Sequence, residues 1–265
     1  MTREGTDGEI SIASLLAKRQ VRLLGSGGSA DTAKRRQSIC RQLADNFIAF
    51  DRLRLALIHP ESHQLPQHDK EARAVGEWLV GQKLLNRSQT GNGVALLKID
   101  QAEIRAFLNG QWLEMYVWNA FIEAGADEVR YNQKVEWQID DVTGINEIDI
   151  IARKGKRLFL VSCKGVTPMP SDGRAAELRD YLFEAHYWNL HFAEGTATAI
   201  LLTTADLIIE ENQNNEKRFP PTEKQAEILN VALVGIENLH WSRLVPRITD
   251  WMVQVLPADT DAKHA

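Results

Sequence analysis

NEIDIIARKGKRLFLVSCKG, Asn146 to Gly165, holds two short apolar runs around a Lys/Arg/Gly turn. EIDIIA and RLFLVSC have the length and branched side chains of strands, and RKGK between them makes a tight turn, so the stretch predicts a hairpin. Successive strand side chains point to opposite faces. Glu147 and Asp149 therefore share a face, opposite Ile148 and Ile150, and Ser162 and Lys164 share a face of the next strand. If the hairpin pairs simply, both polar pairs meet at its open end. A charge taken out of water must be paired. The group is then either a salt-bridged strand edge, Asp149 to Lys164, or a site.

Reading outward, VRYNQKVEWQID alternates Val135, Trp137 and Ile139 and predicts a preceding strand, with DVTG as the turn. Before it, residues 101 to about 124 have helical spacing, with a break at Asn109-Gly110 and an end at Gly125. Leu113, Val117, Ala120, Phe121 and Ala124 form its apolar stripe, and Glu114 lies off it. Downstream come a Pro/Gly-rich loop and a long helix, RAAELRDYLFEAHYWNLHF. ATAILLTT and NVALVGI follow as strands, and RLVPRITDWMVQVL as a closing helix with a kink expected at Pro246. The order αβββαββα predicts an α/β domain over 101–256, a sheet with helices on its faces, and a tail over 257–265.

Upstream, residues 1–30 are poorly patterned. SIASLLAKRQVRLL fits a short helix, and LLGSGGSADTA reads as a linker. One helix is predicted from Thr32 to Ile58, its polar side carrying Lys34, Arg35, Arg36 and Arg41. HPESHQLPQHD is a loop, 70–84 a helix, SQTGNG a turn and VALLKI a strand. This is the outline of a helical, winged-helix-like region over 31–100.

The chain has 265 residues, 44% hydrophobic and 25% charged, the balance of a soluble globular protein. No apolar run reaches the roughly 20 residues of a membrane span, and the polar N-terminus is not a signal peptide. Cys40 and Cys163 are the only cysteines, which makes neither a disulfide framework nor a zinc pattern; a reducing cytoplasm is expected. The net charge of −5 hides an asymmetry: residues 1–100 carry more Lys and Arg than Asp and Glu, and residues 101–265 the reverse. That fits a nucleic-acid contact joined to a carboxylate-rich site, or simply uneven surface. His186 and His191 are five apart and do not stack as a zinc pair. Trp112, Trp118 and Trp188 have faces that stack bases, but their spacing fits a core better.

The hairpin's polar set suits metal-assisted phosphodiester hydrolysis. Two carboxylates hold Mg²⁺, with a backbone carbonyl and waters. The ion polarises the phosphoryl oxygen and lowers the pKa of water. A lysine positions that water and offsets phosphate charge.

A Glu in a helix, an Asp in a strand and a residue–x–Lys on the next strand resemble the PD-(D/E)XK nuclease superfamily, whose core order is αβββαβ. Within it the chain is most similar to the nuclease half of the CRISPR-associated CARF-domain nucleases, which cyclic oligoadenylate activates. Three motifs carry this likeness: Leu108-Asn109-Gly110-Gln111-Trp112-Leu113-Glu114, Asn146-Glu147-Ile148-Asp149 and Phe159-Leu160-Val161-Ser162-Cys163-Lys164. The resemblance covers about 95–210, extends back over the winged-helix-like part and does not cover a sensor domain.

It implies a restriction-endonuclease-like α/β/α fold, a nuclease acting on DNA or RNA with Mg²⁺ or Mn²⁺, a homodimer, a role in antiviral defence and a sensor or activator in trans. By resemblance Asp149 is the metal-binding aspartate and Lys164 the catalytic lysine. Glu114 is the helix carboxylate that holds a water of the ion, and the Cys163 carbonyl is a further ligand. Ser162 stands where the superfamily usually has Glu or Asp. Either Glu147 supplies the missing charge, or Ser162 orders a water and the site works with Glu114, Glu147 and Asp149, or the fold is a decayed nuclease that binds nucleic acid without cutting it. Lys34, Arg35, Arg36, Arg41 and Arg174 are the candidate nucleic-acid contacts.

Overall fold

A computed structural model describes residues 10–59, 68–89, 95–168, 174–193, 196–207 and 220–253. The chain opens with α1 (Ile12–Ala17) and β1 (Val21–Leu24), then α2 (Ala30–Arg35), α3 (Gln37–Asp45), α4 (Phe47–Ile58) and α5 (Lys70–Gly81). A ribbon of β2 (Asn86–Gln89) and β3 (Ala95–Lys98) follows. Next come α6 (Ala102–Ala106), a π-helical segment Phe107–Gln111, α7 (Trp112–Glu123), β4 (Glu128–Ile139), β5 (Val142–Lys154) and β6 (Arg157–Lys164). The remainder is α8 (Arg174–Ala193), β7 (Thr198–Thr203), α9 (Pro220–Ile228), β8 (Val231–Val234) and α10 (Trp241–Val253).

Six strands form one sheet in the order β1-β4-β5-β6-β7-β8. The β4–β5–β6 meander is antiparallel, and β6, β7 and β8 run parallel. Parallel neighbours need crossovers. α8 supplies the first and α9 the second. PPTEKQAEI is too polar to stand out as a core helix in sequence, which is why α9 is absent from the sequence reading. The expected turns shift little: Asp140 (φ 52°) turns β4 into β5, and Gly155 (φ 59°) turns β5 into β6.

Two layers of helices cover the sheet. On one face Ile150, Ala152, Phe159, Val161, Ile200 and Leu202 pack against α7 and α10 in the main core. On the other, Ile148, Ile151, Leu158 and Leu160 pack with α1 and with Trp188 and Phe192 of α8. α7 is buried on nearly every side rather than along one stripe, because α2 and α3 cover its back. Trp112 stacks on Phe47 of α4 with ring centroids 5.6 Å apart. The N-terminal helices thus share the main core, which runs from Ala33 to Met252.

Three expectations change. The single helix from Thr32 to Ile58 is three, broken at Arg36 and Asn46, whose backbones leave helical geometry. The stretch after α1 is a strand: Gln20 takes φ 56°, ends the helix and delivers Val21–Leu24 to the sheet edge. The Gly/Ser stretch is no loose linker. Gly28 N–H donates to the Tyr131 carbonyl at 2.7 Å, and a Cβ on Gly28 would stand 2.2 Å from the Tyr131 ring. Of the SQTGNG turn, Ser88 and Gln89 end β2 and the rest lies outside the described residues, as do most of the 59–69 loop and the 257–265 tail. No described helix is long and apolar enough to cross a membrane.

Candidate active site

Glu114 enters one turn into α7, and a buried polar tie fixes that helix's approach. Asp51, 2% exposed, accepts two hydrogen bonds from Arg54, and Arg54 reaches Asn109 Oδ1 at 3.3 Å. Asn109 belongs to the π-helical segment, so α4 holds the turn from which α7 starts. Glu114 Oε2 is buried and accepts no hydrogen bond. Burial pushes its carboxyl up to about 8, and the nearby Asp149 and Glu147 push the same way.

Asp149 stands where the β5–β6 ladder stops. The last paired residues are Ile150 and Val161, beyond which the strands part. Asp149 Oδ2 accepts a hydrogen bond from Cys163 N at 2.7 Å. Burial raises this carboxyl to about 6, against the opposing pull of Lys164 and of that hydrogen bond.

The alternation rule holds on either side of Asp149 and breaks at it. Tyr131 and Ile150 face the main core, while Val135 and Ile148 face the second core, although each pair of positions in a strand should share one face. Asn132, with φ 48°, lies between the register pairs Tyr131–Ile150 and Gln133–Ile148, across from Asp149. Its left-handed backbone rotates the ribbon there. Glu147, opposite Ile148, consequently lies exposed on the α7 side with Glu114.

Lys164 does not form the expected salt bridge with Asp149. Its Nζ pairs with Glu184 Oε2 of α8 at 3.0 Å and lies 5.2 Å from the centre of the Tyr181 ring. Its charge still acts on both Glu114 and Asp149. Ser162 follows Leu160 onto the α8 side, is 0% exposed, and its Oγ has no hydrogen-bond partner. Cys163 faces the main core; burial raises its thiol well above the usual range, and Asp149 and Glu114 add to the effect. The fold therefore gathers Glu114 and Glu147 on the α7 side of the open end, with Asp149 at the exchange of faces, within the field of Lys164 and Glu184. Lys164 comes in from the α8 side, and Ser162 is held beneath α8.

Two residues escaped the sequence reading, Glu184 and Tyr181. Glu177, Tyr181 and Glu184 recur at i, i+4 and i+7, a polar face of α8 beside the buried Leu178, Leu182 and Ala185. That spacing could have located them.

The basic candidates divide. Arg36 pairs with Glu103 at 2.9 Å and lies over Phe107; Arg41 pairs with Glu123 at 2.7 Å and lies over Trp241. Both fasten helices. Lys34 and Arg35 are exposed. Arg174 opens α8, and its side chain lies outside the described residues. Trp112, Trp118 and Trp188 are buried and offer no face to a base.

The donor set suits a hard divalent cation in kind. Carboxylate oxygens and a carbonyl are its usual ligands, and the unbonded, buried Glu114 Oε2 is an acceptor without a donor. Among the described residues no three acidic, His or Cys side chains close around one point. An ion held by Asp149, Glu114 and the Cys163 carbonyl would complete its shell with water and phosphate oxygens.

Residues 101–224 match the Card1-like endonuclease domain. The likeness to PD-(D/E)XK nucleases related to the CARF-domain enzymes holds. The match spans α6 through β7 and into α9, and so contains all five charged groups at the open end of the hairpin. Two solved structures share the fold of nearly the whole chain. Protein VC1899 from Vibrio cholerae superposes with a TM-score of 0.66 at 21% identity, over 92% of this chain and 61% of its own. Can2 from Sulfobacillus thermosulfidooxidans, described in complex with cyclic tetra-adenylate, does so with 0.63 at 15% identity, over 92% and 61%. This chain thus spans 61% of the length of each. Among curated proteins none matches it. The endonuclease-like domain includes β4, β5 and β6 entire, while β8 and α10, which close its core, lie beyond the matched residues.

Proposed function

We propose that this protein is a cytoplasmic, Mg²⁺- or Mn²⁺-dependent nuclease of CRISPR-associated defence that hydrolyses phosphodiester bonds in DNA or RNA. One observation carries the reading. Inside a segment that matches an endonuclease domain, two desolvated carboxylates without a cation partner, Glu114 and Asp149, stand beside Lys164 at the open end of a hairpin. A structural salt bridge would have paired Asp149 with Lys164. The raised carboxyls mark a site that lacks positive charge.

In this reading Asp149, Glu114 and the Cys163 carbonyl would hold the cation, and Glu147 would add charge at the rim. When bound, such an ion would polarise the phosphoryl oxygen and lower the pKa of water. Glu114 orients the attacking water, and the Lys164 ammonium offsets charge developing on the phosphate. One phosphodiester and one water give a phosphomonoester and an alcohol. Lys34 and Arg35 are free to meet backbone phosphates. The helices α3–α5 with the β2–β3 ribbon serve as a winged-helix-like arm. The protein works as a homodimer, and a sensor or activator acting in trans controls it; the ligand of such a sensor is a cyclic oligoadenylate, by analogy with Can2, described in complex with cyclic tetra-adenylate.

The second reading is a degenerate nuclease that binds without cutting. Ser162, buried and unbonded where an acidic ligand is usual, favours it. The deciding experiment is cleavage of labelled single- and double-stranded DNA and RNA with Mn²⁺, Mg²⁺ or EDTA, wild type beside Asp149→Ala. Metal-dependent cutting lost in the variant supports the nuclease. Binding without cutting, with and without a cyclic oligoadenylate sensor, supports the scaffold.

A further inference from the structure

The ammonium of Lys164 sits among acids, yet it rests on the one that neither sequence motif nor strand pattern brings to the site. Glu114 and Glu147 lie on the α7 side, Asp149 stands at the open end between the two faces, and the fields of Glu114 and Asp149 reach it. A lysine side chain has four flexible carbons and would swing toward the densest negative charge. It does not. Glu184 Oε2 takes it at 3.0 Å, with the two side chains only 21% and 37% exposed, and the Tyr181 ring lies 5.2 Å beneath.

The base of the side chain is equally fixed. The Lys164 carbonyl accepts from Thr204 N and Thr203 Oγ1, both at 3.1 Å, and Thr204 Oγ1 bonds the backbone of Val166 on both sides. β6 is thereby pinned where it ends. We propose that Glu184 is the positioning residue of Lys164. It holds the ammonium on the α8 side and keeps it from closing onto Asp149, so that the Asp149 oxygens stay open to a cation. This rests on the nuclease reading and adds to it a residue on the crossover helix.

The assignment separates Glu184 from its neighbours on α8. Asp180 is 71% exposed and, among the described residues, pairs with Arg179 at 3.6 Å. Asp180→Asn removes the same charge from the same helix without touching Lys164. Glu184→Gln keeps the shape of the side chain but loses the ion pair.

The test compares cleavage rates of wild type, Glu184→Gln, Asp180→Asn, Lys164→Met and the double variant Lys164→Met/Glu184→Gln. Expected is a fall of tenfold or more in kcat for Glu184→Gln, with KM within about threefold, full activity in Asp180→Asn, and no further loss in the double variant beyond Lys164→Met alone. A merely structural role would lower both backgrounds equally. Glu184→Gln cutting within twofold of wild type, or an additive double variant, overturns the proposal. Crystal structures of wild type and Glu184→Gln give a reading independent of activity. Lys164 Nζ is expected to move into salt-bridge distance of Asp149; an unmoved Nζ refutes the positioning role. If wild type cuts no substrate, the nuclease reading fails, and these structures still decide whether Glu184 places the lysine.

Discussion

Replacing Glu114 by Gln should make the metal-free protein more stable at neutral and alkaline pH while removing a carboxylate of the proposed cation site. The carboxyl of Glu114 ionises near 8 in the fold against 4.5 for a free glutamate. A folded pKa above the unfolded one means that the native state holds its proton longer. Stability from this group is then complete below about 4.5, falls as pH rises through the interval to 8, and is flat above it. The full interval corresponds to roughly 4–5 kcal/mol at 1.36 kcal/mol per pKa unit; allowing for partial solvent screening leaves about 2–3 kcal/mol. A glutamine of the same shape never ionises. Urea unfolding in EDTA at pH 5, 7 and 9 should show Glu114→Gln about equal to wild type at pH 5 and more stable by that amount at pH 9. Subtracting the variant from wild type cancels the other titrating groups. A difference that does not change with pH, or one that runs the other way, would refute the claim that Glu114 is a desolvated, unpaired carboxyl.

Three further outcomes follow from contacts described above. Ser162→Ala deletes a buried hydroxyl that bonds to nothing, so unfolding free energy should stay within about 1 kcal/mol of wild type or rise, with any cleavage retained; Ser162→Glu at the same fully enclosed position should destabilise by about 3 kcal/mol or more. Arg54→Met strands the buried Asp51 carboxylate and frees Asn109, and denaturant melts should register a loss of about 3–5 kcal/mol, largely recovered by adding Asp51→Leu. Gly28→Ala drives a methyl into the Tyr131 ring, and thermal unfolding should show a loss of about 1–3 kcal/mol, eased in a Tyr131→Leu background.

The meander was readable in sequence because Val135, Ile148, Ile150, Phe159 and Val161 belong to short apolar runs of strand length, and because Gly155 marks its second turn. Glu114, Asp149 and Lys164 were readable as motif positions, and the fold does bring their charges into range. Their exact disposition was not. The exchange of faces at Asp149 follows from a left-handed backbone at Asn132; Asn tolerates that conformation better than most residues, but most Asn side chains sit on ordinary backbone, so one Asn inside a strand pattern does not announce it. The partner of Lys164 lies on α8, across a loop, and pairing between distant elements leaves no periodic trace. The basic face of α2 and α3 misled for a related reason. Arg36 and Arg41 look like solvated charges in one dimension, and only the packed chain shows Glu103, Glu123 and the aromatic rings that occupy them. β1 and α9 were missed because each depends on the sheet for its existence: four residues at an edge, and a polar crossover.

The continuity of the main core separates the unit of inheritance from the unit of folding. The segment that matches a known domain begins at 101 and ends at 224. Its central helix nevertheless buries Trp112 against Phe47 and Phe50, its Tyr116 hydroxyl donates to the Leu239 carbonyl, and Leu244 and Ile248 complete the same cluster. Excised at its borders, that segment would bare an almost wholly apolar helix on three sides. The matched segment thus needs, to keep its core, the helices before it and the strand and helix after it. A fragment cut to the recognisable domain would be expected to aggregate before it could be asked whether it cuts.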